Sequence, residues 1–341
     1  MTVGRRELNR ALLARQGLLE RFPPDVPAAL RRIGGLQAQY APAMYIGLWS
    51  RVAGLERDAV TRALEHRSAI QATLLRSTIH LVAADDFWPW AVAVRSARRE
   101  SFLRGRPDAP PAPAMARAAR TLRRRLAGGP LLRRDIEGLL GKEAARGVGL
   151  WLDLVRVPPL GTWERRRADL YGLAEDWLPP VEVSKADAVA RVVGSYLSGF
   201  GPAPPDDIAN WAGMKITDVK RALARIELRR FRGPDGDELL DLPDAPLPDP
   251  DTPAPPRFLP VWDATLLVHA RRTQILPEEL RPRVFNIRLP HGVSTFLVDG
   301  AVAGAWRFEG GRVVVEPFVR LDPADRQAVD EEAERLALYS R

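Results

Sequence analysis

The sequence predicts an α+β fold, mostly α, in which three tandem winged-helix units precede a small C-terminal β-barrel. Helical segments followed by a short hairpin recur three times over residues 1–243, whereas short strands with glycine turns dominate after residue 257. The 341 residues are also too many for one ordinary hydrophobic core, so several domains are expected.

The first unit, residues 1–84, is predicted to contain helices and then strands. Apolar side chains recur at helical spacing in the segments 7–20, 26–35 and 55–67. Gly34 and Gly35 are expected to end the second of these helices. The segment 69–83 alternates and is rich in Ile, Thr and Leu, which predicts one or two strands.

The second unit, residues 85–182, repeats this layout. Asp85 and Asp86 are good N-cap types for the helix that follows them. The helices predicted in this unit are 85–104, 114–126, 132–140 and 142–155. Residues 162–179 are typical of a second wing.

The third unit, residues 183–243, has the clearest pattern. A helix is predicted over 185–202 and a helix-turn-helix over 204–226. Residues 227–242 then form a strand, a Gly-Pro-Asp-Gly turn and a second strand. This pattern favours DNA contact, although the same geometry also occurs in domains that bind no DNA.

The remaining chain changes in character. Residues 244–256 are rich in proline and acidic side chains, as in a linker. Residues 257–341 contain successive short strands and a capped C-terminal helix, which predicts a small barrel or a strongly curved sheet.

Charge favours a polyanionic partner, nucleic acid first. The net charge is +8 and the isoelectric point is near 10.3. Residues 95–134 carry twelve arginines against Glu100 and Asp108, and Arg98, Arg99, Arg117, Arg120 and Arg124 could share a face. A solvated surface in an arginine-biased proteome is the alternative. The DNA-binding residues predicted in the third unit are Lys215, Lys220, Arg229, Arg230 and Arg232.

Several classes of chemistry are not expected. The sequence has no cysteine, no phosphate-binding loop and no zinc-protease motif, and its four histidines show no metal-ligand spacing. We therefore expect neither a metal nor an organic or nucleotide cofactor. No apolar run reaches the length of a membrane span and the N-terminus lacks a signal-peptide core, so we expect cytoplasmic residence and no membrane partner.

Gln37 and Gln39 are the candidate catalytic residues. They follow Gly34-Gly35 and precede Pro42, so the intervening chain is expected to be extended, with both carboxamides on one side. Two carboxamides can hold and aim a water molecule but cannot remove its proton. That suffices only for a good leaving group, such as an N7-alkylated purine. Alternatively, the pair ties a buried loop to backbone groups.

Four segments together resemble the AlkZ/YcaQ-like DNA glycosylases. They are GLQAQYAPAMYIGLW (35–49), LLRSTIHLVAADDFW (74–88), RFLPVWDATLLVHARR (257–272) and STFLVDGAVAGAWR (294–307). The resemblance implies tandem winged helices, a C-terminal β-barrel and catalysis by Gln37 and Gln39. The Gln-aliphatic-Gln motif implies the branch associated with self-resistance to genotoxic natural products. The motif differs from the Gln-aliphatic-Asp branch, which places broad 7-methylguanine repair in question.

The resemblance also implies further site residues. It places Arg76 and His80 near the DNA channel, although core packing could explain His80. His291 would lie at the tip of a β-hairpin that probes DNA, or in an ordinary exposed turn. Tyr45 and Trp49 could flank a lesion, but aromatic residues at this spacing are typical of a core.

The predicted function is that of a monofunctional DNA glycosylase for bulky N7-alkylguanines or interstrand crosslinks, with double-stranded DNA as its partner. No lysine lies near the glutamine pair, so strand cleavage through a Schiff base is not expected. The alternative is a winged-helix transcription factor without catalytic activity. Because no dimerisation helix is evident, we expect a monomer rather than the dimer typical of such regulators.

Overall fold

The computed structural model describes residues 1–267, 270, 272–285 and 292–341. The fold is α+β and mostly helical, as predicted. The N-terminal part consists of α1 (Arg5–Arg15), α2 (Val26–Ile33), β1 (Leu36–Gln37), α3 (Ala41–Trp49), α4 (Arg57–Glu65), β2 (Ala69–Thr73) and β3 (Ile79–Ala83). Within the described part of the chain, none of the helices has the length and apolar character needed to cross a bilayer.

Helix α2 ends where the candidate catalytic segment begins. The Asp25 side chain accepts a hydrogen bond from Ala28 N at 2.8 Å and caps the helix start. Gly34 adopts a left-handed conformation with φ of 75° and ends the helix. The chain can therefore turn directly into strand β1.

The middle of the chain adds helices and three more strands. These are α5 (Ala84–Arg104), α6 (Ala112–Leu126), β4 (Leu131–Leu132), α7 (Arg133–Leu140), α8 (Lys142–Gly147), β5 (Leu154–Arg156), β6 (Leu170–Leu173) and α9 (Ala174–Trp177). Strands β1 to β6 form a single six-stranded sheet in the order β1-β3-β2-β5-β6-β4. The hairpins predicted for the first and second units therefore share one sheet, in which Gln71 of β2 pairs with Arg156 of β5.

Two sequence predictions about the middle segment are wrong. The helix predicted over 142–155 ends at Gly147, because Gly147 and Gly149 weaken a helix and Val155 is buried by pairing in the sheet. The wing predicted over 162–179 contains the single strand β6, whose partner strands β5 and β4 lie upstream at 154–156 and 131–132.

The third part consists of α10 (Lys185–Phe200), α11 (Pro205–Ala212), α12 (Ile216–Leu223), β7 (Arg229–Arg232) and β8 (Glu238–Asp241). These elements match the predicted helix, the helix pair and the hairpin within a few residues. Ser184 caps α10 by accepting from Asp187 N at 3.1 Å, and Gly213 ends α11 with φ of 68°.

The C-terminal strands that the structure describes form an open four-stranded sheet, and the predicted barrel is not confirmed. The elements are β9 (Arg257–Leu259), α13 (Arg281–Val284), β10 (Thr295–Val298), β11 (Ala301–Glu309), β12 (Arg312–Pro317) and α14 (Pro323–Tyr339). Over the described residues the strand order is β12-β11-β10-β9, and no closed barrel is found. Helix α14 packs against both outer strands, so it buries apolar side chains that barrel closure would otherwise cover. The sequence also predicts a strand over 283–290, but Arg283 and Val284 belong to α13, and residues 286–290 lie outside the described residues.

The C-terminal sheet packs against the first part of the chain. Phe258 and Phe296 share an apolar cluster with Tyr45, Met44 and Trp49 from α3. The Tyr45 ring lies 5.7 Å from the Trp163 ring, and its hydroxyl bonds Thr61 at 2.8 Å. Tyr45 and Trp49 are therefore core residues, as their spacing indicates.

Candidate active site

Gln37 lies at the edge of the six-stranded sheet. Strand β1 pairs antiparallel with β3, and Gln37 is directly opposite His80. Leu36 and Ala38 are buried, whereas Gln37 is half-buried and Gln39 is exposed. The segment therefore has the extended alternation that the sequence predicts.

The two glutamine carboxamides have different partners. Gln39 Oε1 accepts a hydrogen bond from Ile79 N at 2.8 Å, next to the bond from Ala38 N to Ile79 O at 2.7 Å. Because a backbone N–H can only donate, this contact determines the orientation of the Gln39 amide. Gln37 Oε1 instead accepts from Arg76 Nη2 at 3.4 Å. Gln39 thus also ties its segment to the backbone, while Gln37 contacts a charged side chain.

Arg76 connects Gln37 to the third part of the chain. Arg76 and Ser77 have φ of 48° and 61°, which is unusual for residues other than glycine. The Arg76 guanidinium donates to Trp211 O in α11, and burial lowers its pKa. The β2–β3 turn is therefore held in a strained conformation that places one guanidinium between Gln37 and α11.

His80 lies on β3, directly across from Gln37, and is 3% exposed. Burial, together with the positive charges of Arg76 and Arg98, lowers its pKa to about 3. The ring is therefore neutral at neutral pH, and its Nδ1 lies 3.1 Å from Thr78 O. Such a group can support the edge strand but has no proton to donate to a substrate as an imidazolium.

His80 is expected to make folding stability depend on pH. Between pH 3 and 6.5 the unfolded chain binds a proton that the folded chain does not, so the free energy of unfolding falls as pH decreases through this window. One group contributes at most about 1.4 kcal/mol per pH unit. Urea unfolding at several pH values should show a shallower decline in His80→Gln than in wild type. The matched control is His66→Gln at an exposed position, and an equal decline in both variants would contradict the assignment.

Three of the other predicted DNA-binding residues are held in ion pairs. Lys215 pairs with Glu100 at 2.8 Å, Arg230 with Glu238 at 2.7 Å, and Arg229 with the buried Asp241 at 2.7 Å. Lys220 and Arg232 are exposed and have no ion-pair partner among the described residues. His291 lies outside the described residues.

The predicted arginine face divides into two groups. Arg117, Arg120 and Arg124 are exposed on α6. Arg98 is instead 7% exposed, and Arg99 donates to Leu150 O and lies over the Trp151 ring at 5.3 Å. The α6 group is therefore exposed on the outer surface, whereas Arg98 is buried and Arg99 is half-buried against neighbouring elements.

The residues that contact the β2–β3 turn from other parts of the chain were not predicted from the sequence. Trp211 accepts the bond from Arg76, and Arg156 donates to Thr73 Oγ1 at 3.1 Å. Neither residue carries a local signal, because both reach the turn from distant parts of the chain. Within the described residues, no group of His, Asp and Glu side chains could hold a metal ion.

Comparison with known proteins assigns the family. A family model described as DNA glycosylase AlkZ-like matches residues 30–339, which include both glutamines and strands β1 to β12. The chain belongs to the AlkZ-like family of DNA glycosylases. This AlkZ-like chain is accordingly a DNA glycosylase, an enzyme that acts on DNA.

A solved structure shares the fold of this AlkZ-like glycosylase. The structure of Streptomyces sahachiroi DNA glycosylase AlkZ aligns with a TM-score of 0.80 and 20% sequence identity, over 100% of this chain and 97% of that chain. No curated protein sequence matches the chain significantly. The structural similarity supports the same arrangement of helices and sheets.

Proposed function

We propose that this AlkZ-like glycosylase is monofunctional and hydrolyses the N-glycosidic bond of bulky N7-alkylguanines in double-stranded DNA, including interstrand crosslinks. The product would be an abasic site, and the biological role would be self-resistance to a genotoxic natural product. The observation that carries this proposal is the pair of carboxamides, half-buried Gln37 and exposed Gln39, in the extended segment at the edge of the six-stranded sheet.

The geometry supports positioning of water rather than proton abstraction. Arg76 orients the Gln37 carboxamide and leaves its second oxygen lone pair and its amide protons for a ligand. Gln39 keeps its two amide protons, since its oxygen accepts from Ile79. Water would add to C1′ as the C1′–N9 bond breaks, and its proton would pass to solvent. The cationic alkylated base already leaves as a neutral molecule, so the reaction requires no acid.

The distribution of lysines supports a monofunctional enzyme. All lysines lie at or beyond position 142, far along the chain from the glutamine pair. Lys215, on the turn before α12, is paired with Glu100 at 2.8 Å. A Schiff base requires an unprotonated amine at the reacting carbon, and these positions do not support one.

DNA is expected to contact the exposed basic residues as well as the glutamine pair. We propose that residues 1–84, 85–182 and 183–243 are winged-helix units that wrap one lesion as a monomer, with residues 257–341 as the fourth domain. The exposed arginines of α6, together with Lys220 and Arg232, carry charge suited to phosphate contacts. An open edge also suits a crosslinked base, which cannot be flipped into a closed pocket.

The test is base release from duplex DNA carrying one defined bulky N7-guanine adduct, with 7-methylguanine DNA in parallel. Abasic sites are revealed by heat and alkali. Release from the bulky adduct but not from 7-methylguanine is expected. Release from 7-methylguanine alone would contradict the proposed substrate class, and binding without release from either would favour a non-catalytic DNA-binding protein.

A further inference from the structure

A cavity of about 500 Å³ lies beside the β2–β3 turn, between that turn, α5 and the segment 133–156. Its lining is strongly basic. The arginines that line it are Arg76, Arg98, Arg106, Arg133, Arg146 and Arg156, and one carboxylate, Asp153, faces them. A volume of this size falls in the range of small-molecule sites.

Four of the arginines that line the cavity have no ion-pair partner among the described residues, because the nearby carboxylates bind other arginines. Arg95 binds Asp153 at 2.8 Å, Arg133 binds Glu137 at 2.7 Å, and Arg146 binds Glu143 at 2.8 Å. In the described part of the chain, no carboxylate lies within ion-pair distance of Arg76, Arg98, Arg106 or Arg156. The cavity therefore carries uncompensated positive charge.

Two of these guanidiniums donate to neutral hydroxyls, one in the β2–β3 turn and one at the end of β2. Arg98 Nε donates to Ser77 Oγ at 3.4 Å, and Arg156 Nη2 donates to Thr73 Oγ1 at 3.1 Å. Arg76 belongs to the turn itself. A hydroxyl directs a guanidinium without neutralising it, so three positive groups from three elements converge with their charge intact.

Burial makes this arrangement costly unless an anion is bound. Arg98 is 7% exposed, and burial lowers its pKa to about 10, so it remains charged at neutral pH. Arg156 Nε is buried and has no hydrogen-bond partner in the structure. A buried charge without a counter-ion is unfavourable, and the Arg156 Nε donor lacks an acceptor. An oxyanion in the cavity would supply both the missing counter-charge and the missing hydrogen-bond acceptor.

We propose that this cavity binds a phosphate group, held by Arg98 and Arg156, and that in the enzyme–DNA complex this group is a phosphodiester of the substrate strand. Guanidinium groups match phosphate oxygens in bidentate geometry. Arg76 both lines the cavity and donates to Gln37 at 3.4 Å, so the phosphate site and the glutamine pair share one side chain. This second step, from phosphate to DNA, rests on the proposed function.

The first measurement is binding of the full chain to a duplex that contains a stable abasic-site analogue. In Arg98→Gln and Arg156→Gln we expect at least tenfold weaker affinity. The slope of log affinity against log salt should fall by about one for each arginine removed. Arg326→Gln removes one exposed arginine from α14 and should remain within twofold of wild type. Arg98→Lys, which keeps the charge, should recover part of the loss.

The second measurement is thermal unfolding with inorganic phosphate and without DNA. Phosphate should raise the wild-type unfolding midpoint more than that of Arg98→Gln. In phosphate-free buffer Arg98→Gln should unfold no earlier than wild type, because it removes an uncompensated buried charge. A clearly lower midpoint would show a structural arginine and overturn the proposal.

The two measurements separate the possible ligands. Phosphate stabilisation with unchanged DNA affinity in both variants would assign the cavity to a free phosphate and overturn the DNA step. No effect in either measurement would overturn the site altogether. If base release is absent but the salt slope falls in Arg98→Gln and Arg156→Gln, the phosphate site stands while the proposed glycosylase substrate fails.

Discussion

Replacement of Gln37 by alanine is expected to reduce base release from a bulky N7-alkylguanine duplex by about 10²–10³-fold, the range observed when one pre-positioned polar group is removed from an active site. The protein should remain folded. The Gln37 contact with Arg76 is long, at 3.4 Å, and the side chain is half-buried, so its removal leaves no deeply buried group without a partner. Single-turnover kinetics and thermal unfolding of the same preparation would test both parts.

Gln39→Ala is expected to behave differently. It should also reduce base release, but it removes the acceptor of the 2.8 Å bond from Ile79 N and should therefore lower the unfolding midpoint slightly. The matched control is Gln327→Ala on α14, where the side chain contacts Glu331 at 3.0 Å on the surface. Base release unchanged in both Gln37→Ala and Gln39→Ala would show that the pair is structural.

Replacement of Asp263 by alanine is expected to lower the free energy of unfolding by about 3–5 kcal/mol, because it leaves a buried guanidinium uncompensated. Arg51 Nη2 lies 2.8 Å from Asp263 Oδ1, and neither side chain is exposed. Asp263 also accepts from Thr265 N and Oγ1 at 3.1 Å and 2.8 Å. Urea unfolding monitored by circular dichroism would measure the loss.

The position of this ion pair explains its expected importance for the site. Arg51 follows α3, the helix that begins two residues after Gln39, and Asp263 follows β9 of the C-terminal sheet. Loss of the pair should therefore loosen the packing of the C-terminal sheet against the glutamine segment.

Two variants distinguish a buried charge effect from general damage. Asp235→Ala breaks an exposed pair with Arg5, in which both side chains are more than half exposed, and should change stability far less. The double replacement Arg51→Met with Asp263→Leu should recover most of the loss, because it removes both charges. A double variant as unstable as Asp263→Ala would contradict the explanation.

Local signals account for the parts of the fold that were predicted well. Helix α10 begins at Ser184, and α11 ends at Gly213, because capping and left-handed conformations depend on single residues and their neighbours. The extended conformation of 37–39 follows in the same way from Gly34-Gly35 and Pro42. The resemblance that led to the DNA glycosylase family likewise rests on short contiguous segments.

Contacts between distant segments account for what was missed. The first two residues of β5, Leu154 and Val155, were predicted as helix because their apolar run suits either structure, and pairing of β5 with β2 decided the outcome. The open C-terminal sheet depends in the same way on α14 packing across its outer strands.

The sequence by itself determined the α+β composition, the positions of most helices, the extended glutamine segment and the family. Only the tertiary structure decided which guanidiniums meet at the β2–β3 turn. Arg76 contacts Trp211 and Arg156 contacts Thr73 across separations of 135 and 83 residues. Hydrophobic periodicity and capping report a residue's neighbours within about one turn or strand. The meeting of distant side chains depends instead on how buried faces pack, and one sequence does not encode that pairing in any local pattern.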